Sequence, residues 1–141
     1  MKVSFAAGIT VILVALALGI SVVVWGFKSK DFMRMRGGLE HRVTNVLLAI
    51  KEYAEVNDGN LPASIDDLVS GQYLEEVPVN PFTKEQLVLV SADSRKGPND
   101  VEMAVIDVEH EKGHYLSITL TVYRSNGAVL VRSGPVSLKL D

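Results

Sequence analysis

Between Phe5 and Phe27 the chain reads FAAGITVILVALALGISVVVWGF, without a single Asp, Glu, Lys or Arg. This run constrains the fold more than any other feature. It exceeds the roughly 20 residues that a helix needs to cross the hydrocarbon core of a bilayer. In lipid a lone segment can satisfy its backbone polar groups only as a helix. A cleaved secretory signal is the competing assignment, but signal cores run to about 7–15 apolar residues and end in a small-residue site. Here Ala15-Leu16-Ala17 lies inside the run, with more apolar sequence after it. The expectation is a short flank at 1–4 and a retained membrane-spanning helix at 5–27.

Within the run, small residues recur four apart: Ser4 and Gly8, Ala15 and Gly19, Ala17 and Ser21. Such spacing lets helices approach closely in lipid, although small residues are also common in spanning helices generally. Lys2 flanks one end; Lys28, Lys30, Arg34 and Arg36 flank the other. The distribution of positive charge alone would put the C-terminal side in the cytoplasm.

The remaining sequence is of a length and kind that suits one ordinary domain. The 141 residues are 48% hydrophobic and 22% charged, with a formal net charge of −3. A mildly acidic chain does not present the broad basic surface on which nucleic-acid binding depends. The absence of cysteine excludes disulfides, thiolate metal sites and cysteine nucleophiles.

After the run, KSKDFMRMRGG (28–38) reads as a juxtamembrane connector, and Gly37-Gly38 predicts a bend or break, because glycine is costly within a helix. Leu39, Val43, Val46, Ile50 and Tyr53 then form one apolar stripe, widened by Leu47 and Ala54, on an amphipathic helix. Asn57-Asp58-Gly59 is its expected stop. Ser64 and Asp67 form a capping-box pattern for a short helix ending at Gly71, with Ile65, Leu68 and Val69 facing the core. Pro78 and Pro81 hold the following chain extended.

The last third carries five β-rich segments: QLVLVS, VEMAVIDVE, YLSITLTVYR, AVLVR and VSLKL. Leu116, Ile118, Leu120 and Val122 alternate with Ser117, Thr119, Thr121 and Tyr123. Asn126-Gly127 predicts a type I′ hairpin. The natural arrangement is a small antiparallel sheet with one face covered by the amphipathic helix.

Several segments invite a chemical assignment. His110-Glu111-Lys112-Gly113-His114 has the His-Glu-x-x-His spacing that binds zinc when it lies on a helix. Strand signals on both sides and Gly113 inside the motif instead predict a hairpin tip, with Glu111-Lys112-Gly113 as a three-residue loop and His110 opposite His114. The pairs Asp66-Asp67 and Glu75-Glu76 read as a helix N-terminus and a solvated loop. His41 has no ligating partner one turn away. Asp93, Asn99 and Asp100 lie in a polar loop at 92–100, without the ligand spacing of a calcium loop. No catalytic residue, metal ligand, cofactor or small-molecule site is assigned.

Tyr53, Asp58-Gly59, Leu61-Pro62, Leu68, Tyr73-Leu74 and Pro78-Val79-Asn80-Pro81 follow one another in that order. The set resembles one carried by type IV pilins, and particularly by the pseudopilins of type II secretion systems. Many members have a tyrosine, an Asn/Asp-Gly turn, an aromatic-Pro step, a leucine, a Tyr-Leu pair and Pro-x-Asp-Pro. Leu61 stands here for the aromatic residue and Asn80 for the aspartate. The family usually has a glycine, then Phe-Thr-x-x-Glu, at the head of its apolar segment. Here Ser4 precedes Phe5, and Ile9 occupies the place of the glutamate.

The resemblance implies an α+β, pilin-like fold, in which a long N-terminal helix has a membrane-spanning half and a half packed on the sheet of a globular domain at 39–141. It implies a structural subunit or accessory protein of a secretion or pilus system rather than an enzyme. Such a protein is held in the bacterial inner membrane by a single pass, with its domain on the periplasmic or extracellular side. Its partners are the membrane and other pilin-like subunits or secretion-system membrane proteins. Phe5, Gly8, Ala15 and Gly19 are then the anchor and assembly positions, and Tyr53, Gly59, Pro62, Leu68, Tyr73, Leu74, Pro78, Asn80 and Pro81 the structural motif. A single-pass protein whose α+β domain binds a partner outside any filament is the alternative, since fold does not fix function.

Overall fold

The computed structural model describes residues 5–95 and 97–140, with the backbone alone for 5–13, 18, 19, 22, 23 and 110. The elements in chain order are α1 (Phe5–Val56), α2 (Ile65–Ser70), β1 (Val88–Ser91), β2 (Asp100–His110), β3 (Gly113–Tyr123) and β4 (Val129–Leu140). The protein is α+β and divides into two compact units, Met1–Arg34 and Met35–Asp141.

The first unit is helical from Phe5 onward. Leu16, Ile20, Trp25 and Phe27 are exposed on it. Ser21 donates its hydroxyl proton to the Ala17 carbonyl at 2.8 Å, and Asp31 pairs with Arg34 at 3.4 Å. Among the described residues no helix is long and apolar enough to cross a membrane. More than half of the Phe5–Phe27 run lies among residues whose side chains are not described, including Phe5, Gly8 and Gly19; Ala15 is exposed.

In the second unit the predicted break is absent: Gly37 and Gly38 are both helical. Two glycines in a helix cost roughly 1 kcal/mol each, but Leu39, Val43, Val46, Leu47, Ile50 and Ala54 immediately follow and are all buried. Burial of a large aliphatic side chain is worth about 1.5–3 kcal/mol, so packing outweighs the local preference. The helix stops as expected, with Asp58 (φ 55) and Gly59 (φ 81) both left-handed and the Gly59 amide donating to the Ala54 carbonyl at 2.8 Å. The capping box of α2 forms, Ser64 Oγ accepting from the Asp67 amide at 3.2 Å and Asp67 Oδ2 from the Ser64 amide at 2.8 Å.

The sheet is four-stranded in the order β1-β2-β3-β4. It is mixed rather than antiparallel: β1 pairs parallel with β2, from Val88↔Asp100 to Ser91↔Met103, while β2-β3 and β3-β4 are antiparallel. A parallel connection has to return the chain to the starting end of the sheet. Here β1 has only 4 residues, a rise of about 10 Å between its ends, so the short 92–99 loop suffices. AVLVR and VSLKL form one strand, β4, not two. One extra residue on β4 near Gly134 is absorbed as a bulge, because Ile118 pairs with Val136 but Leu120 with Ser133.

β4 runs along α1. Arg36 Nε donates to the Leu130 carbonyl at 3.2 Å, Thr44 and Ser133 hydroxyls are 2.9 Å apart, and a Cβ at Gly59 would lie 2.6 Å from Leu140. The core forms between the α1 stripe and Val101, Ile118, Leu120, Val122, Val131 and Leu138. The β3–β4 turn therefore sits at the end of this unit where α1 comes in, and the β2–β3 turn at the opposite end.

Candidate functional site

The motif residues line the chain from the last turns of α1 to the approach to β1. The rings of Tyr53 and Tyr73 meet edge to face, with centroids 5.5 Å apart. Leu68 is buried, and its carbonyl accepts from the amides of Tyr73 at 2.8 Å and Leu74 at 3.2 Å, which folds the chain back after α2. Pro62 is buried. The Pro78 carbonyl accepts from the Leu87 amide at 2.8 Å, leading the chain into β1. Pro81 sits half-buried in the turn that follows.

Asn80 organises that turn. Its Oδ1 accepts from the Phe82 amide at 2.9 Å, and its Nδ2 donates to the Pro98 carbonyl at 3.0 Å and to Asn99 Oδ1 at 3.1 Å. Thr83 Oγ1 donates to the same Asn99 oxygen at 2.6 Å, and Asn99 Nδ2 donates to Glu85. Buried polar groups are tolerated only when paired, and this network ties the 92–99 loop to the Pro78–Pro81 segment. Asn99 is engaged within the network and Asp100 Oδ2 accepts from the Gly97 amide at 2.9 Å.

Between the motif segment and the outer side of α1 lies a groove of about 710 Å³. Arg42, Asn45, Leu48, Ala49 and Glu52 line it at helical spacing, and the Tyr73–Val79 segment forms the other wall. Arg42 Nη1 donates to the Val79 carbonyl and closes one end. Leu48 and Val79 are exposed apolar residues on the two walls, and Glu52, Glu75 and Glu76 supply acid. An open cleft with an apolar strip and a charged margin suits a protein segment, a helix or an extended chain. The Asp66-Asp67 and Glu75-Glu76 pairs divide between the α2 cap and this margin.

The His110–His114 stretch joins β2 to β3 as a hairpin, but one residue tighter than expected. His110 pairs with Gly113 across a Glu111-Lys112 turn, and His114 pairs with Glu109. Gly113 carries the positive φ of 132. The two histidines are therefore not cross-strand neighbours, and His114 Nε2 is bonded to Asp107 Oδ1 instead. The His110 side chain lies outside the described residues. Among the described residues no group of three His, Cys, Asp or Glu is placed to hold a metal. His41 is exposed, with its Nε2 3.4 Å from Asn45 Nδ2.

At the opposite end of the sheet, Asn126-Gly127 turns the chain as expected, but through a three-residue loop. The Arg124 amide donates to the Ala128 carbonyl at 2.8 Å and the Gly127 amide to the Arg124 carbonyl at 2.9 Å. Positive φ falls on Gly127 (84°) and not on Asn126, so the turn is a type I turn closed by a left-handed glycine rather than type I′. Beside it is a cluster with no signature in the sequence. The Arg95 guanidinium lies 4.1 Å from the centre of the Tyr123 ring, and Tyr123 Oη donates to Glu102 Oε1 at 3.0 Å. Burial, and then that bond to Glu102, raise the Tyr123 phenol above its usual range. A search against protein-family models, curated proteins and solved structures matches none of them.

Proposed function

We propose that the protein is a membrane-anchored, pilin-like structural subunit or accessory protein of a secretion or pilus assembly system, placed in the inner membrane of a bacterium with residues 39–141 outside. The observation that carries this reading is that the ordered motif builds the path from α1 to the sheet. Tyr53, Gly59, Leu68, Tyr73, Pro78 and Asn80 each make a specific contact in the segment joining α1 to the sheet. The uncharged run within α1 supplies the anchor by its length. The groove along Arg42, Leu48 and Glu52 supplies a surface for a neighbouring subunit.

The replacement of the usual glutamate by Ile9 favours a second reading, a single-pass protein that binds a partner outside a filament. An ionised carboxylate is expensive in lipid unless paired, and a span without one is stable alone. Cysteine crosslinking separates the two, since the chain has no cysteine of its own. Leu48→Cys is expected to crosslink to a pilin-like subunit in membranes; crosslinks only to proteins of other kinds would select the second reading. Protease that digests the C-terminal domain from the cytoplasmic side would sink both the orientation and the first reading.

A further inference from the structure

β1 is only 4 residues long and pairs with β2 no further than Met103. From Ala104 to His110 the other side of β2 is paired with β3, but its outer edge faces no strand among the described residues. Val105 to Glu109 are exposed at every position, with Ile106 at 63%. A bare edge presents a row of N–H and C=O groups that templates a further strand. Main-chain bonds to such an edge are a common way to hold an extended chain. We propose that the Ala104–His110 edge takes up, as an added strand, an extended segment of a partner protein in which apolar residues alternate with Lys or Arg.

The side chains beside the edge select that sequence. Alternation along β2 puts Val105, Asp107 and Glu109 on one face and Ala104, Ile106 and Val108 on the other. An added strand would set cations opposite the acids and apolar residues opposite Ile106 and Val108, and both kinds of cross-strand pair stabilise a sheet. Asp107 Oδ1 is bonded to His114 Nε2, and a carboxylate has a second oxygen with which to accept from a cation. On the apolar face Val108, Tyr115 and Ser117 border an open hollow of about 370 Å³, within reach of a long side chain on a neighbouring strand. A second copy of the chain fits worse. Antiparallel pairing of two copies over the whole of Ala104–His110 would set Asp107 against its own counterpart, and like charges directly opposite destabilise. Acids on an edge guard against self-association; here they also favour a basic partner.

The test titrates the full chain, in neutral detergent, with fluorescein-labelled seven-residue peptides, read by fluorescence anisotropy. A peptide alternating valine and lysine is expected to bind saturably. The same peptide with glutamate for lysine should bind at least about tenfold more weakly, the scale of two cross-strand charge pairs reversing sign. Two further versions carry N-methyl groups on the lysine amides or on the valine amides, each blocking one edge of the peptide. One of them should lose binding and the other keep it. Glu109→Lys should cut the preference for lysine about fivefold, and Ile106→Lys should weaken the lysine peptide severalfold. Val129→Thr, at an exposed position at the start of β4, should change neither. Hydrogen exchange should show amides within Ala104–His110 slowing when the lysine peptide is added.

Binding that does not saturate, that ignores both N-methylated versions, or that leaves exchange in Ala104–His110 unchanged overturns the proposal. A concentration-dependent dimer of the chain alone that Ile106→Lys dissolves would assign the edge to a second copy and overturn the partner. None of these measurements depends on the anchoring or the pilin-like reading.

Discussion

Asn80 donates from its Nδ2 to Asn99 Oδ1 at 3.1 Å, and through this contact the loop before β2 is fastened to the segment before β1. Asn80 is 1% exposed and uses both ends of its amide. Asn80→Ala is expected to cost about 1–3 kcal/mol, because partners are left buried and unpaired. Asn80→Asp, which introduces the residue common in pilins, is expected to cost at least as much. A carboxylate cannot donate to the Pro98 carbonyl or to Asn99. Chemical denaturation of the detergent-solubilised full chain measures both. An Asp variant as stable as the wild type would show that the loop re-pairs around it.

Gly134 and the Gly37-Gly38 pair are expected to respond to alanine in opposite directions. A Cβ at Gly134 would lie 2.8 Å from the Ile118 carbonyl oxygen and 3.2 Å from Leu47, on a backbone with φ of 104. Gly134→Ala therefore carries both steric and backbone strain, on the order of 2–4 kcal/mol. A Cβ at Gly37 or Gly38 meets nothing within 4 Å. Alanine there should stabilise the helix by up to about 1 kcal/mol per site. Thermal melts of the three single variants check the signs.

The same comparison shows what a linear sequence conveys. The α1 stripe and the α2 cap were legible because their signals are periodic or local: Leu39 to Ala54 repeat at helical spacing, and Ser64 faces Asp67 within one turn. Turn positions were legible too, at Gly113 and Gly127. What failed was one-residue detail and direction. A shift of one residue at Glu111-Lys112 moves His110 away from His114. The direction of β1 depends on how the 92–99 loop folds over its own strand, and that loop is held by Asn80, a residue from a different segment. The Arg95–Tyr123–Glu102 cluster arises from strand register, which places Glu102 opposite Thr121 and hence diagonal to Tyr123. No spacing in the sequence records that.

Leu47 and Leu48 are neighbours with opposite duties. Leu47 is 2% exposed and packs toward the β4 bulge, while Leu48 is 53% exposed in the groove. Leu47→Ala should lower stability by about 2–5 kcal/mol, as expected for a truncated core leucine. Leu48→Ala should change stability by no more than about 0.5 kcal/mol and, on the proposed pilin-like reading, weaken association with a neighbouring subunit. Melts and co-purification from membranes, performed on the same pair of variants, separate the two effects. Loss of association with Leu47→Ala alone would move the contact surface away from the groove.

Tyr123 gives the unit a pH dependence at the alkaline end. Burial is the larger cause of its raised pKa, and the bond to Glu102 the next; Arg95 and Arg132 act in the opposite direction. The folded phenol keeps its proton above the ordinary value of 10.0, where the unfolded one releases it. The unfolded state then binds fewer protons, so stability falls as pH rises. The contribution is complete below the unfolded pKa and is lost as pH climbs from there to the folded pKa. Tyr123→Phe should remove this alkaline decline and, by deleting the Glu102 bond, lower stability at neutral pH by about 0.5–1.5 kcal/mol. Denaturation at neutral and alkaline pH, with tyrosinate followed by ultraviolet absorbance, tests both parts. An alkaline decline of unchanged size in Tyr123→Phe would assign it to another group.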